Sequence, residues 1–164
     1  MSSTPTIEQR ASQPYVAIPA AVTVPEVGEV LPPLIGELDG WLAARAAEPV
    51  GAPFFKYNLI HMDRDLQVEV GMPVPAELAG DDRVRPGVLP AGRYAVLIHT
   101  GPYDGVVDAC RRLLQWGDEQ GLAWDMSQTE DGERWGARIE AYPTDPEAEP
   151  DPQRWVTELA FRLA

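Results

Sequence analysis

Two periodicities divide the chain into elements. Alternation of apolar and polar residues marks 65–75, where Val68, Val70, Met72 and Val74 share one face and Gln67 and Glu69 the other. The same alternation marks 134–143, with Trp135, Ala137, Ile139 and Ala141 on one side and Arg138, Glu140 and Tyr142 on the other. An i, i+3, i+4 stripe marks 26–45 through Val27, Val30, Leu31, Leu34, Ile35, Leu38, Trp41 and Leu42. A second stripe over 106–121 turns Val106, Val107, Cys110, Leu113 and Leu114 inward, with Asp104 as its N-cap and Gly121 after its end. Pro32 and Pro33 interrupt the first stripe, so its regular helix is expected to start there.

Runs rich in β-branched and aromatic residues at 14–24, 51–60, 92–100 and 154–164 read as four further strands. The stretch "HMDRD" between two of the strands is a turn, and the proline-rich acidic "PTDPEAEPDP" is irregular. The order strand, helix, strand, strand therefore occurs twice, over about 12–78 and 90–164, behind a flexible polar leader at 1–11. Sliding the last strand back by 89 places sets Glu158 on Glu69, Phe161 on Met72 and Leu163 on Val74. The pattern predicts a duplicated α+β domain whose strands join into an antiparallel sheet with helices on one face. Its other face is expected to carry Glu69, Arg138, Glu140, Tyr142 and Glu158.

Composition narrows the partners. The chain has 164 residues, is 45% hydrophobic, and carries a formal charge of −13, which disfavours nucleic acid and anionic membrane surfaces and favours cationic small molecules. The lone Cys110 cannot form an internal disulfide and falls in an apolar helical stripe, so a buried thiol in a reducing cytoplasm is expected. No signal peptide or membrane-spanning run stands out, nor any glycine-rich phosphate loop or dinucleotide fingerprint. His61, Asp63 and Asp65 make too thin a ligand set for a metal, and neither metal nor cofactor is expected.

The segments "APFFKYNLIHMDRDLQVEVGMPVP", "LPAGRYAVLIHTGPYDGV", "LLQWGDEQGL" and "IEAYPTDP", followed by "PDPQRWVTEL", together resemble the GyrI-like small-molecule-binding domain. That family also supplies the effector-binding domain of multidrug-responsive activators. The resemblance covers about residues 12–164 and implies two βαββ (SHS2-type) modules related by a pseudo-twofold, with a ligand cleft between them. It places the family's acidic strand motif, Glu-x-Tyr, on Glu140 and Tyr142, and its Val-Glu-Val-Gly motif on Glu69. Ala141 stands where a bulkier apolar residue is common. No helix-turn-helix pattern accompanies it, so the stand-alone form is expected rather than a DNA-reading activator.

Two functions follow from the resemblance. One is capture of bulky hydrophobic, often cationic compounds, with Glu140 supplying charge and aromatic faces adding cation–π attraction. The other is hydrolysis of cyclopropane-containing DNA-alkylating compounds, with Glu140 as general base and Tyr142 or a second acid as hydrogen-bond donor. Tyr57, Tyr103 and Trp116 are candidate walls, Arg138 a neighbour of the central acid, and Glu69 and Glu158 secondary acids. Phe55 and Trp135 are expected in the core, His99 lacks a nucleophile partner, and Cys110 is expected to be unreactive. Nothing in the sequence is specific for contact with gyrase, and monomer and homodimer both remain open.

Overall fold

Both apolar stripes become helices laid on one sheet. In the computed structural model, which describes residues 1–61 and 63–164, helix α1 (Val27–Ala44) buries Leu31, Leu38 and Leu42. Helix α2 (Val106–Glu119) buries Val106, Ala109, Cys110, Leu113 and Gly117. Three expectations fail here. Helix α1 runs through Pro32 and Pro33 instead of starting at them. Both rings sit on the exposed side, so the missing N–H donors cost two intrahelical bonds without disturbing the buried stripe. Val107, expected inward, is 68% exposed, because the buried face of α2 follows 106, 109, 110, 113 and 117. The first turn of α2 has Gly105, not Asp104, at its N-cap, with no side-chain cap.

Among the described residues the sheet has ten strands: β1 (Thr6–Arg10), β2 (Gln13–Val22), β3 (Phe54–Ile60), β4 (Leu66–Pro73), β5 (Arg85–Leu89), β6 (Gly92–Thr100), β7 (Met126–Thr129), β8 (Gly132–Trp135), β9 (Arg138–Ala141) and β10 (Val156–Arg162). Their order is β1-β6-β10-β9-β3-β4-β2-β5, with the β7–β8 hairpin attached to β3. The α+β class with a curled antiparallel sheet and two helices is as expected. The triplet β6-β10-β9 mirrors β2-β4-β3, and the two triplets meet where β9 pairs antiparallel with β3. Lys56 pairs with Glu69 in one half, and Ala141 with Glu158 in the other. With Glu69 and Glu158 equivalent, Phe55 then corresponds to Glu140, and Tyr57 to Tyr142.

Among the described residues, β1, β5 and β7 lie outside the expected pattern. Within the leader, residues 6–10 form β1 against β6, and the backbone N–H of Ser3 donates to the Ile98 carbonyl at 2.8 Å. Its side chains are exposed or half-buried, so its pairing comes from the free edge of β6 and leaves no apolar signal. The expected strand 134–143 is broken into β8 and β9 by Gly136 and Ala137. At Gly136 a Cβ would come within 1.8 Å of the Asp125 carboxylate, so this close approach requires glycine.

The break also changes which side chains share a face. Trp135 packs in the α2 core with Leu113, Leu159 and Phe161. Ala137 and Ile139 turn to the opposite face, where they cluster with Tyr15, Phe54, Tyr94 and Ala160. The curling of the sheet buries that second cluster without a helix. Among the described residues no helix is long and apolar enough to cross a membrane.

Candidate functional site

Glu140 sits at the centre of β9, between β10 and β3, with Phe55 as its partner across the β3–β9 pair. Because Ile139 and Ala141 belong to the helix-free face, the alternation of a strand turns Arg138 and Glu140 to the helix-covered face. Tyr142 joins them there in the α1 cluster. The expectation that these three face away from the helices is thus corrected. The apolar side of β9 is core, but of the wrong layer: the curl of the sheet buries it and leaves the polar side to the helices.

Three donors converge on the carboxylate. The Tyr142 hydroxyl donates to Oε2 at 2.7 Å, the Tyr57 hydroxyl to the same oxygen at 3.4 Å, and the Cys110 thiol to Oε1 at 3.6 Å. Among the described residues no lysine, arginine or histidine nitrogen lies within ion-pair distance of Glu140. Desolvation therefore prevails over the donors and over the nearby charge of Arg138, and the carboxyl titrates above its ordinary range. Burial and the same anion push both tyrosine hydroxyls well up, and raise the Cys110 thiol to about 12. Such a thiol is a poor nucleophile at neutral pH.

Aromatic rings and the first turns of α1 surround the acid. Tyr142 meets Phe55 edge-on at 4.8 Å and Tyr103 at 5.7 Å, and Tyr103 lies against Trp155 at 4.8 Å. Val27 and Leu31 of α1 belong to the same cluster as Phe55, Tyr57 and Tyr142. Arg138 lies over Phe161 at 4.5 Å and Trp135 at 4.9 Å, with Glu133 at 4.0 Å. The arrangement can hold a desolvated negative charge, stack flat apolar groups, and hold a proton more tightly than an ordinary carboxyl does.

Not every residue singled out from sequence is gathered here. Phe55 and Trp135 are core, as expected. Trp116 packs with the α2 cluster. Glu69 and Glu158 face the helix-free side. Glu69 accepts from Tyr15 at 3.0 Å and from Asn58 at 2.8 Å, with Lys56 at 3.6 Å, and Glu158 pairs with Arg10 at 2.9 Å. A cavity of about 490 Å3 opens on that side, walled by Phe54, Tyr94, Ile139 and Ala141 with the Arg10–Glu158 pair at its edge. His61 accepts at Nδ1 from the backbone of Asp63. Cys110 was missed as a neighbour of the central acid, and Trp155 as a neighbour of Tyr103. Equivalence to the first-half helix could have pointed to Cys110, since both helices cover the β3–β9 seam.

A sequence model of the GyrI-like small molecule binding domain matches residues 3–164. No curated protein sequence matches the chain. Among solved structures, the EcmrR C-terminal domain is 19% identical with a TM-score of 0.72, over 98% of this chain and 97% of that one. In a complex of EcmrR with DNA the match is 18% identical with a TM-score of 0.73, and this chain spans only 57% of that chain's length. SAV2435, solved bound to tetraphenylphosphonium, is 10% identical with a TM-score of 0.63, over 99% and 94%. A hydrolase from Listeria innocua is 14% identical with a TM-score of 0.64, over 98% and 91%. At these identities the likeness is one of fold.

Proposed function

The chain belongs to the GyrI-like small-molecule-binding family, and from that membership we propose that it captures bulky hydrophobic, often cationic compounds in the cytoplasm, with Glu140 as the charge-selecting group. The observation that carries this reading is the carboxylate itself: it is held by two tyrosine hydroxyls and a thiol, without an ion-pair partner among the described residues. A lipophilic cation entering beside it supplies the missing charge in a medium that strengthens the attraction. The faces of Tyr103, Tyr142 and Trp155 add cation–π contact and tolerate many shapes. The tetraphenylphosphonium held by SAV2435 is a ligand of this kind, and supports the reading by analogy of fold.

The test is a pair of probes of similar shape, tetraphenylphosphonium and neutral triphenylphosphine oxide, titrated by calorimetry. Glu140→Gln should weaken the cation by roughly tenfold or more and leave the neutral probe unchanged. Equal losses for both probes would remove the electrostatic role.

A second reading is favoured by the raised proton affinity of Glu140 beside the Tyr142 hydroxyl. In it, Glu140 takes a proton from a water whose oxygen bonds to a cyclopropane carbon. The ring C–C bond breaks, and its electron pair passes to the conjugated carbonyl, which Tyr142 meets with a hydrogen bond before a proton is returned. Mass spectrometry of a cyclopropane-bearing alkylator incubated with the protein decides it: gain of one water, lost in Glu140→Gln, marks a hydrolase.

A further inference from the structure

An arginine beside a cation-attracting carboxylate is a contradiction unless it serves the ligand too. Arg138 stands two residues before Glu140 on the same strand face, about 7 Å along the backbone, and its charge is felt by Glu140, Cys110 and Tyr57. Its side chain is 14% exposed. The guanidinium lies over two aromatic rings, Phe161 and Trp135, which fix its plane. Among the described residues the Cys110 thiol is its side-chain hydrogen-bonding neighbour, and the only carboxylate within ion-pair distance is Glu133, at 4.0 Å. That carboxylate is itself engaged, since Glu133 Oε1 accepts from the Trp135 indole at 3.1 Å. A guanidinium has five donors in a fixed fork. Arg138 lines, with Ile60, His61, Gln128, Gly132 and Glu133, a cavity of about 340 Å3, within the size range of small-molecule pockets.

We infer that Arg138 is a specificity-determining residue whose guanidinium, opening into the cavity beside the β7–β8 hairpin, receives a carboxylate or carbonyl of the ligand. The preferred ligand class is then zwitterionic: an aromatic body whose cation lies toward Glu140 and whose acceptor lies toward Arg138. This rests on the proposed capture of small molecules at Glu140 and narrows it, because Arg138 works against ligands that bring positive charge alone. Glu133 competes for the same donors and sets an upper limit on how firmly an acceptor is held.

Two dyes with one xanthene frame separate the alternatives. Rhodamine B carries a free carboxylate and is zwitterionic at neutral pH, whereas rhodamine 6G carries an ester in its place and is a cation. Fluorescence anisotropy with the wild-type protein should show rhodamine B bound roughly tenfold or more tightly than rhodamine 6G. Arg138→Gln should reverse that ratio, and Arg138→Lys, which keeps the charge but loses the fork, should fall between. Glu133→Gln, on a half-exposed side chain, should strengthen rhodamine B alone and does not depend on the packing of Arg138. Equal binding of the two dyes by the wild type, with a ratio that neither Arg138→Gln nor Glu133→Gln moves, overturns the role of Arg138 and leaves capture at Glu140 standing. Failure of both dyes and of tetraphenylphosphonium to bind overturns the two readings together.

Discussion

Phe55 on β3 and Glu140 on β9 hold equivalent places in the two halves of the sheet and pair with each other across the seam. One half spends the position on packing: Phe55 is 5% exposed and meets Tyr142 edge-on. The other places a carboxylate there and aims both halves' equivalent tyrosines, Tyr57 and Tyr142, at a single oxygen. The difference shows why a near-symmetric frame carries an asymmetric site. Directly opposed residues in an antiparallel pair are only about 5 Å apart. Two acids in these positions would stand against each other in a place where even one lacks an ion-pair partner among the described residues. A single acid shared by two tyrosines gives a charge-selective centre that the fold tolerates.

The largest test of that asymmetry is to restore the symmetry. Phe55→Glu should lower stability by about 4 kcal/mol at neutral pH, the cost of an unpaired buried charge next to a like one. Phe55→Leu, which keeps the apolar contact, should cost about half of that or less. Urea denaturation followed by circular dichroism reads both. If the glutamate variant proves as stable as the leucine variant, the seam has room for two charges and the asymmetry needs another explanation.

A smaller effect separates the two tyrosines. They are equivalent by position but not by distance, 2.7 Å for Tyr142 and 3.4 Å for Tyr57. A short bond to a charged acceptor contributes roughly 1.5–3 kcal/mol, and a long one much less. Tyr142→Phe should therefore cost about 2 kcal/mol in stability and Tyr57→Phe under about 1 kcal/mol. Equal costs would mean that the carboxylate rests midway between them in solution and that the halves contribute alike.

How much of this could be read from residues alone depended on whether a signal was local. The repeated order of elements was legible, because each apolar stripe and alternating run reports its own burial. The offset of 89 between Glu69 and Glu158 sets Phe55 on Glu140, which face each other across the β3–β9 pair, and the Glu140–Tyr142 spacing put both groups on one face. Strand β1 was not legible, since its side chains remain exposed or half-buried and its pairing comes from β6. The hairpin β7–β8 had a turn signal in Asp131–Gly132, but its strands are polar and easily taken for loop. Hardest was the sidedness of β9. Its apolar residues announce a core without saying which of two, and the curl of the sheet, a property of all its strands, decides that Arg138 and Glu140 face the helices while Glu69 and Glu158 do not.

The smallest expected effect is on the pH dependence of stability, and its sign tests the account of Glu140 directly. The folded state holds the Glu140 proton more tightly than the unfolded chain does, because desolvation prevails over the bonds from Tyr142, Cys110 and Tyr57 and over the charge of Arg138. Between the ordinary carboxyl range and the raised folded value the native protein thus binds more protons, and this group makes stability fall as pH rises. Below that range the acid is protonated in both states, and Glu140 and a glutamine in its place differ little. Glu140→Gln should then match the wild type in acid and become progressively the more stable of the two toward neutral pH, with every other titration cancelling in the difference. The gap is expected to be modest, being what is left after opposing contributions of one desolvated charge and four partners. A wild type that gains on Glu140→Gln as pH rises would mean that the donors, not desolvation, prevail. In that case the carboxylate is a well-satisfied anion with little reason to seek a cation, and the contrast with Phe55 is one of structure alone.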